Sequence, residues 1–173
     1  MGDDTMIRTH SAPARRLALA LVAGAGLSAC GSDSTPTSPE STDLTPDVLA
    51  AMDEAILDEY RAEMTYRTVV EDFGEVLPFA NIVNAEVRHS DALAGLYLRR
   101  GLAVPADPWT AGDIPAFAAI PEACRAGVVA EIDNAAIYDG YLSLELPADV
   151  RQVFQSNRDA SVERHLPAFE SCS

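Results

Sequence analysis

Between Phe79 and His89 the chain reads Phe-Ala-Asn-Ile-Val-Asn-Ala-Glu-Val-Arg-His. On a helix, Glu86 and His89 stand three apart and share one face. Ile82, Val83, Ala85, Leu93, Leu96 and Tyr97 recur around them at helical spacing. Polar side chains set mid-helix among apolar neighbours must find partners once buried. A single helix cannot supply them, so this stretch requires other helices packed against it. A carboxylate oxygen and an imidazole nitrogen converging on one point also form half of a site for iron, manganese or zinc. An acid from a facing helix would complete such a site; the bland alternative is a buried ion pair with Arg88 or Arg61.

The remaining helices follow from caps and periodicity. Thr45, Pro46 and Asp47 supply a hydroxyl cap, a proline at the first helical position and an acid in the first turn. Helix 1 is therefore expected from Pro46 to Phe73, closed by Gly74. Glu59 lies beside its apolar stripe, with Tyr66 two turns further on. Helix 2 is expected from near Pro78 to Arg99 or Arg100, with Gly101 as its stop and the two cations favoured by the helix dipole. Prolines 105, 108, 115 and 121 and Gly112 make Leu102 to Pro121 a connection, with at most a short turn around Phe117. Trp109 is expected to cover one end of the bundle. Helix 3 is placed from Pro121–Glu122 to Leu144 or Leu146, stopped by Pro147, with Glu131, Asn134, Tyr138 and Tyr141 forming a semi-polar seam. Helix 4 is placed from Asp149, as a cap, to about Phe169, with His165 near its buried side. Pro167 removes a donor to the carbonyl of Glu163 and is expected to bend or end the last turn early. The fold class is all-α: an antiparallel four-helix bundle with one long crossover connection.

In such a bundle Glu59, Glu86, His89, Glu131 and His165 converge on a central seam. Three carboxylates and two imidazoles suit a carboxylate-bridged pair of metal ions, and a single ion would satisfy most of the same residues. Asn134 stands beside Glu131 as a weak ligand or hydrogen-bond donor, and Tyr66 as a donor to one of the carboxylates. Cys124 lies seven residues before Glu131 and Cys172 seven after His165. If helices 3 and 4 are antiparallel with Glu131 opposite His165, both cysteines lie about 10.5 Å along the axis in the same direction. A Cys124–Cys172 disulfide follows as the expectation, against two free or separately paired thiols.

The amino terminus carries a different signal. Arg8, Arg15 and Arg16 precede an apolar run from Leu17 to Leu27, too short to span a bilayer comfortably. The run ends Leu27-Ser28-Ala29-Cys30, which resembles the bacterial lipoprotein cleavage box, with lipid attached to Cys30. The organisation expected is a signal over residues 1–29, a lipidated Cys30 with a disordered tether to residue 45, and a helical domain over 46–173. Gly31, with no Asp at that position, resembles lipoproteins passed to an outer membrane if the cell has one. The expected location is the cell envelope, with the membrane as a partner through the lipid. The chain has 12 Lys and Arg against 27 Asp and Glu, a formal charge of −15. Such acidity disfavours nucleic acid and anionic lipid as partners and is compatible with cations.

Glu59 to Tyr66, then Phe79, Asn81-Ile82, Glu86, Arg88 and His89, then Gly127 to Glu131, and last His165-Leu166 with Ala168-Phe169, together resemble a bacterial ferritin-like family catalogued as a domain of unknown function (number 2202). The resemblance covers roughly Pro46 to Phe169. Asn134 stands where that family usually has Asp, and Val162 stands three before His165, where ferritins have Glu. The resemblance implies a ferritin-like bundle holding up to two irons and oxidising ferrous iron with dioxygen or peroxide. A homodimer is compatible with it. The alternative is a non-catalytic structural or interaction domain of the envelope, with one metal ion or none.

Overall fold

The computed structural model describes residues 44–173. The expected signal, Cys30 and nearly all of the tether lie outside the described residues. Four long helical stretches account for the domain. Helix α1 (Pro46–Phe73) begins where the Thr45 hydroxyl accepts the Val48 amide at 3.2 Å, and it ends at Gly74, whose φ of 86° suits a residue without Cβ. Helix α2 (Phe79–Arg99) is closed by Gly101 at φ 66°.

Helix α3 (Ile120–Tyr141) ends earlier than the expected Leu144 or Leu146. Arg151, nine residues beyond Leu142, donates to the carbonyls of Leu142 and Leu144 at 3.0 and 2.9 Å. Those carbonyls are satisfied without a further helical turn. Helix α4 (Ala148–Ala160) starts one residue before Asp149, which is not its cap. Asp149 instead receives both guanidinium nitrogens of Arg100, at 2.8 and 2.9 Å, and fastens α4 to the end of α2.

The expected fourth helix is not uniform. A π-helical turn (Ser161–His165) follows α4, and a last helix α5 (Leu166–Glu170) continues the rod beyond Phe169. Pro167 therefore neither ends nor shortens the helix. The Leu166 amide bonds to the carbonyl of Ser161, five residues back, so the turn before the proline is wide. A wide turn gives the ring room where the carbonyl of Glu163 would clash in an ordinary helix. It also resets the phase. An uninterrupted helix turns about 100° per residue and would carry Phe169 about 120° round from Asn157. One extra residue in the turn removes most of that drift and keeps Asn157, Ser161, His165 and Phe169 buried along one side.

Two apolar clusters occupy the two ends of the bundle. One holds Met52 and Ile56, Leu93 and Leu96, Tyr138 and Phe154. The other holds Tyr66 and Val69, Phe79 and Ile82, Cys124 and Phe169. The order in which each helix visits them gives the topology: α1 and the α4–α5 rod run one way, α2 and α3 the other. Parallel neighbours need a connection that travels the length of the bundle, and residues 102–119 supply it. Its short helical turn lies at Ala111–Asp113, not at Phe117. Trp109 does not cover an end: its indole N–H donates to the Leu57 carbonyl at 3.1 Å, over the middle of α1. The Cys124–Cys172 disulfide is formed, with Cα atoms 5.8 Å apart. Beside it Phe169 lies on the α3 backbone, and a Cβ on Gly127 would come within 2.7 Å of that ring.

Candidate metal centre

Between the two apolar clusters each helix carries polar residues inward: Glu59 from α1, Glu86 and His89 from α2, Glu131 from α3 and His165 from the wide turn. All five are buried, none more than 9% exposed. Glu86 occupies the middle. Its Oε2 lies 2.8 Å from His89 Nδ1 and its Oε1 lies 3.1 Å from His165 Nδ1. Its partners are thus the two histidines, not Arg61 or Arg88. His89 Nδ1 is also 3.3 Å from Glu59 Oε2, and His165 Nδ1 is 3.4 Å from Glu131 Oε2. The two imidazoles stack with centroids 5.3 Å apart.

The result is two groups that share Glu86: Glu59, Glu86 and His89, and Glu86, Glu131 and His165. Within each, the potential ligand atoms lie within 4.8 Å of one another, so each group could hold a metal ion. Two atoms stand out. Glu86 Oε1 and His165 Nδ1 are buried and make no hydrogen bond. They face each other as an ion pair at 3.1 Å without a well-directed hydrogen bond, so their lone pairs are available to a cation once the imidazole is deprotonated.

Further polar groups orient the outer carboxylates. The Tyr66 hydroxyl donates to Glu131 Oε1 at 2.7 Å, and the Tyr138 hydroxyl donates to Glu59 Oε1 at 2.5 Å. Asn157 Nδ2 reaches the Tyr138 oxygen at 3.1 Å and Glu59 Oε1 at 3.4 Å. Asn134 turns elsewhere: its Nδ2 donates to Asp58 Oδ2 at 2.9 Å, and its Oδ1 accepts from the Ser161 hydroxyl at 2.7 Å.

The electrostatics are those of mutually compensating charges. Burial alone would lower both histidine pKa values. The carboxylates of Glu59 and Glu86 outweigh it at His89 and push it up to about 10; Glu131 and Glu86 push His165 up to about 9. Both imidazoles are therefore protonated at neutral pH, and each must release a proton to bind a cation. Burial raises the Glu59 carboxyl against the pull of His89. At Glu86 burial also works upward, but His165 and His89 hold the carboxyl below its ordinary value. Burial, with a carboxylate alongside, raises the phenols of Tyr66 and Tyr138 well above the usual range, so both act as donors.

A cleft of about 420 Å³ opens between α1, α3 and the α2–α3 connection. Glu86, Glu131 and Tyr66 are among the residues that line it, whereas Glu59 and His89 are not. Helical periodicity and spacing point to all five cluster residues and to Tyr66. They did not single out Asn157, Ser161 or Asp58, whose roles depend on the wide turn and on contacts between helices. Nor did they reveal the cleft, since nothing local fixes the path of the connection. Comparison with known proteins returns no family model, no characterised protein and no solved structure that matches the chain.

Proposed function

We propose that the protein is an envelope-anchored, ferritin-like metal-binding domain of the family numbered 2202, holding up to two ions and oxidising ferrous iron with dioxygen or peroxide. The observation that carries the reading is the pair of buried three-residue groups joined by Glu86, with Glu86 Oε1 and His165 Nδ1 left without hydrogen bonds. With peroxide, two ferrous ions give up one electron each, and the peroxide takes both with two protons to leave as two waters. The chain's share is to hold and to compensate charge. Glu86 would serve both positions, with Glu59 and His89 holding one ion and Glu131 and His165 the other. Tyr138 and Tyr66 fix the outer carboxylates by donating to the oxygens that face away from the histidines. Manganese and zinc suit the same donors and are the alternatives. The lipid on Cys30 and the tether belong to the same proposal; among the described residues no helix is long and apolar enough to cross a membrane.

A second reading, a non-catalytic envelope domain with one ion or none, draws on a specific observation. Asn134 bonds to Asp58 and Ser161, and Val162 offers no ligand, so Glu86 is the one carboxylate placed between the two positions. Ferrous-iron titration of the purified protein separates the readings. Two irons per chain, with absorbance that grows only when oxygen or peroxide is admitted and is lost in the Glu86→Ala/His89→Ala variant, is the outcome expected of the oxidase. Failure to bind iron, manganese or zinc specifically would overturn it.

A further inference from the structure

We propose that the cleft between α1, α3 and the α2–α3 connection is the route by which divalent cations reach the cluster, with Asp58 and Asp133 as transit carboxylates. The ion then meets the Glu86–Glu131–His165 group first. This rests on the metal reading above and adds to it a path and an order of arrival.

The cleft opens to solvent and reaches the cluster at Glu86 and Glu131. Its floor is Glu86 and Glu131, and Glu86 is 2% exposed with an oxygen that makes no hydrogen bond. Its walls include Ala62 on α1 and Ala126 and Ala130 on α3. Small side chains at these places keep the passage open; a long apolar side chain there would fill it. Asp133 is exposed and Asp58 half-buried, so carboxylates are spaced from the mouth towards the floor. Asn134 holds Asp58 in place through its Oδ2, and itself lines the cleft. Arg61 is the only cationic side chain in the lining.

An acidic passage with low-dielectric walls concentrates cations and speeds their capture. Exposed carboxylates also bind cations weakly enough to release them, which transit requires. Glu59 and His89 do not line the cleft, so an ion arriving through it meets Glu86 and Glu131 before their side of the cluster. The Coulombic bias of the lining disfavours an anionic or phosphorylated ligand in the same space.

The test is anaerobic loading of the full protein with cobalt(II), followed by stopped-flow visible absorbance. Ala126→Phe plugs the passage, and Asp58→Asn/Asp133→Asn removes the two transit carboxylates without changing its shape, leaving Asp113 and the cluster residues in the lining. Gln155→Phe, on the exposed side of α4, is the bulky control. The expected result is loading slowed ~10-fold or more by the plug and ~3- to 10-fold by the paired amides. The amides should also weaken the salt dependence of the rate, while final cobalt per chain stays that of the unmodified protein and the control loads normally. Should the plugged variant not fold, the isosteric amides decide. Unchanged rates in the plugged and amide variants, with cobalt still bound, would overturn the route and leave the metal reading standing. No cobalt bound by the unmodified protein would take down both.

Discussion

The two halves of the cluster use the same residue types and share Glu86, yet they are satisfied differently. On the Glu59–His89 side hydrogen bonds hold both residues: Tyr138 and Asn157 donate to Glu59, and His89 bonds to Glu86. On the Glu131–His165 side, Tyr66 holds Glu131, but His165 Nδ1 and the nearer oxygen of Glu86 face each other at 3.1 Å without a hydrogen bond. That second side is also the one the cleft reaches. Identical donor sets therefore need not be equivalent sites. The closed side is held by hydrogen bonds; on the open side, the one on the cleft, the charges are paired at 3.1 and 3.4 Å without a well-directed hydrogen bond.

The sharpest way to break this comparison is Glu86→Gln, because both sides depend on that carboxylate. It should abolish metal binding at both, whereas Glu59→Gln and Glu131→Gln should each leave about half of the bound metal. Equal loss in all three, measured as metal per chain, would mean a single site. The histidines come next. In metal-free protein His89→Ala strands Glu59 and Glu86 and should cost ~3 kcal/mol of unfolding free energy. His165→Ala takes the ion-pair partner from Glu86 and Glu131, at 3.1 and 3.4 Å and without a well-directed hydrogen bond, and should cost somewhat less, about 2 kcal/mol. Denaturant unfolding that ranks the two the other way would refute the assignment of open and closed sides.

A pH series sharpens the contrast further. Both histidine pKa values are raised in the folded state, so their contribution is fully present below about 6.5, the unfolded value. It is lost as pH rises through about 9 for His165 and about 10 for His89. The Tm of metal-free protein should therefore fall from about pH 6.5 to about pH 10 and level off beyond it, while metal affinity should rise over the same range because binding displaces the protons. The smallest effects belong to the phenols. Tyr138→Phe should cost about 2 kcal/mol, since its hydroxyl joins Glu59 to Asn157 in a sealed region. Tyr66→Phe should cost about 1 kcal/mol, because water from the cleft can replace its bond to Glu131.

What the sequence made legible was local. Thr45-Pro46-Asp47 and Gly74 bounded α1 because caps and positive-φ glycines act on adjacent residues. The seven-residue spacings around Glu131 and His165 led to the disulfide because both helices translate residues into distance at the same rate. The misses were non-local. The end of α3 is set by Arg151 from the next helix. The phase of the last rod is set by a wide turn that no composition announces, and with it the placement of Asn157 and Ser161. The path of Trp109 depends on a carbonyl of Leu57, 52 residues earlier in the chain.

The Cys124–Cys172 bond also divides the protein in a way that the helices do not. It closes a covalent ring of chain, and inside that ring lie Glu131, Asn134, Tyr138, Asn157, Ser161 and His165. Glu59, Tyr66, Glu86 and His89 lie on the open strand outside it. However far the oxidised chain unravels, Glu131 and His165 remain loop-mates within a bounded distance, whereas Glu86 is held to them only through the open connection of residues 102–119. Reassembly of the cluster is then the docking of the α1–α2 hairpin onto a pre-closed loop, and a thiol reductant would turn that two-part search into one among four ligand-bearing segments of a single slack chain.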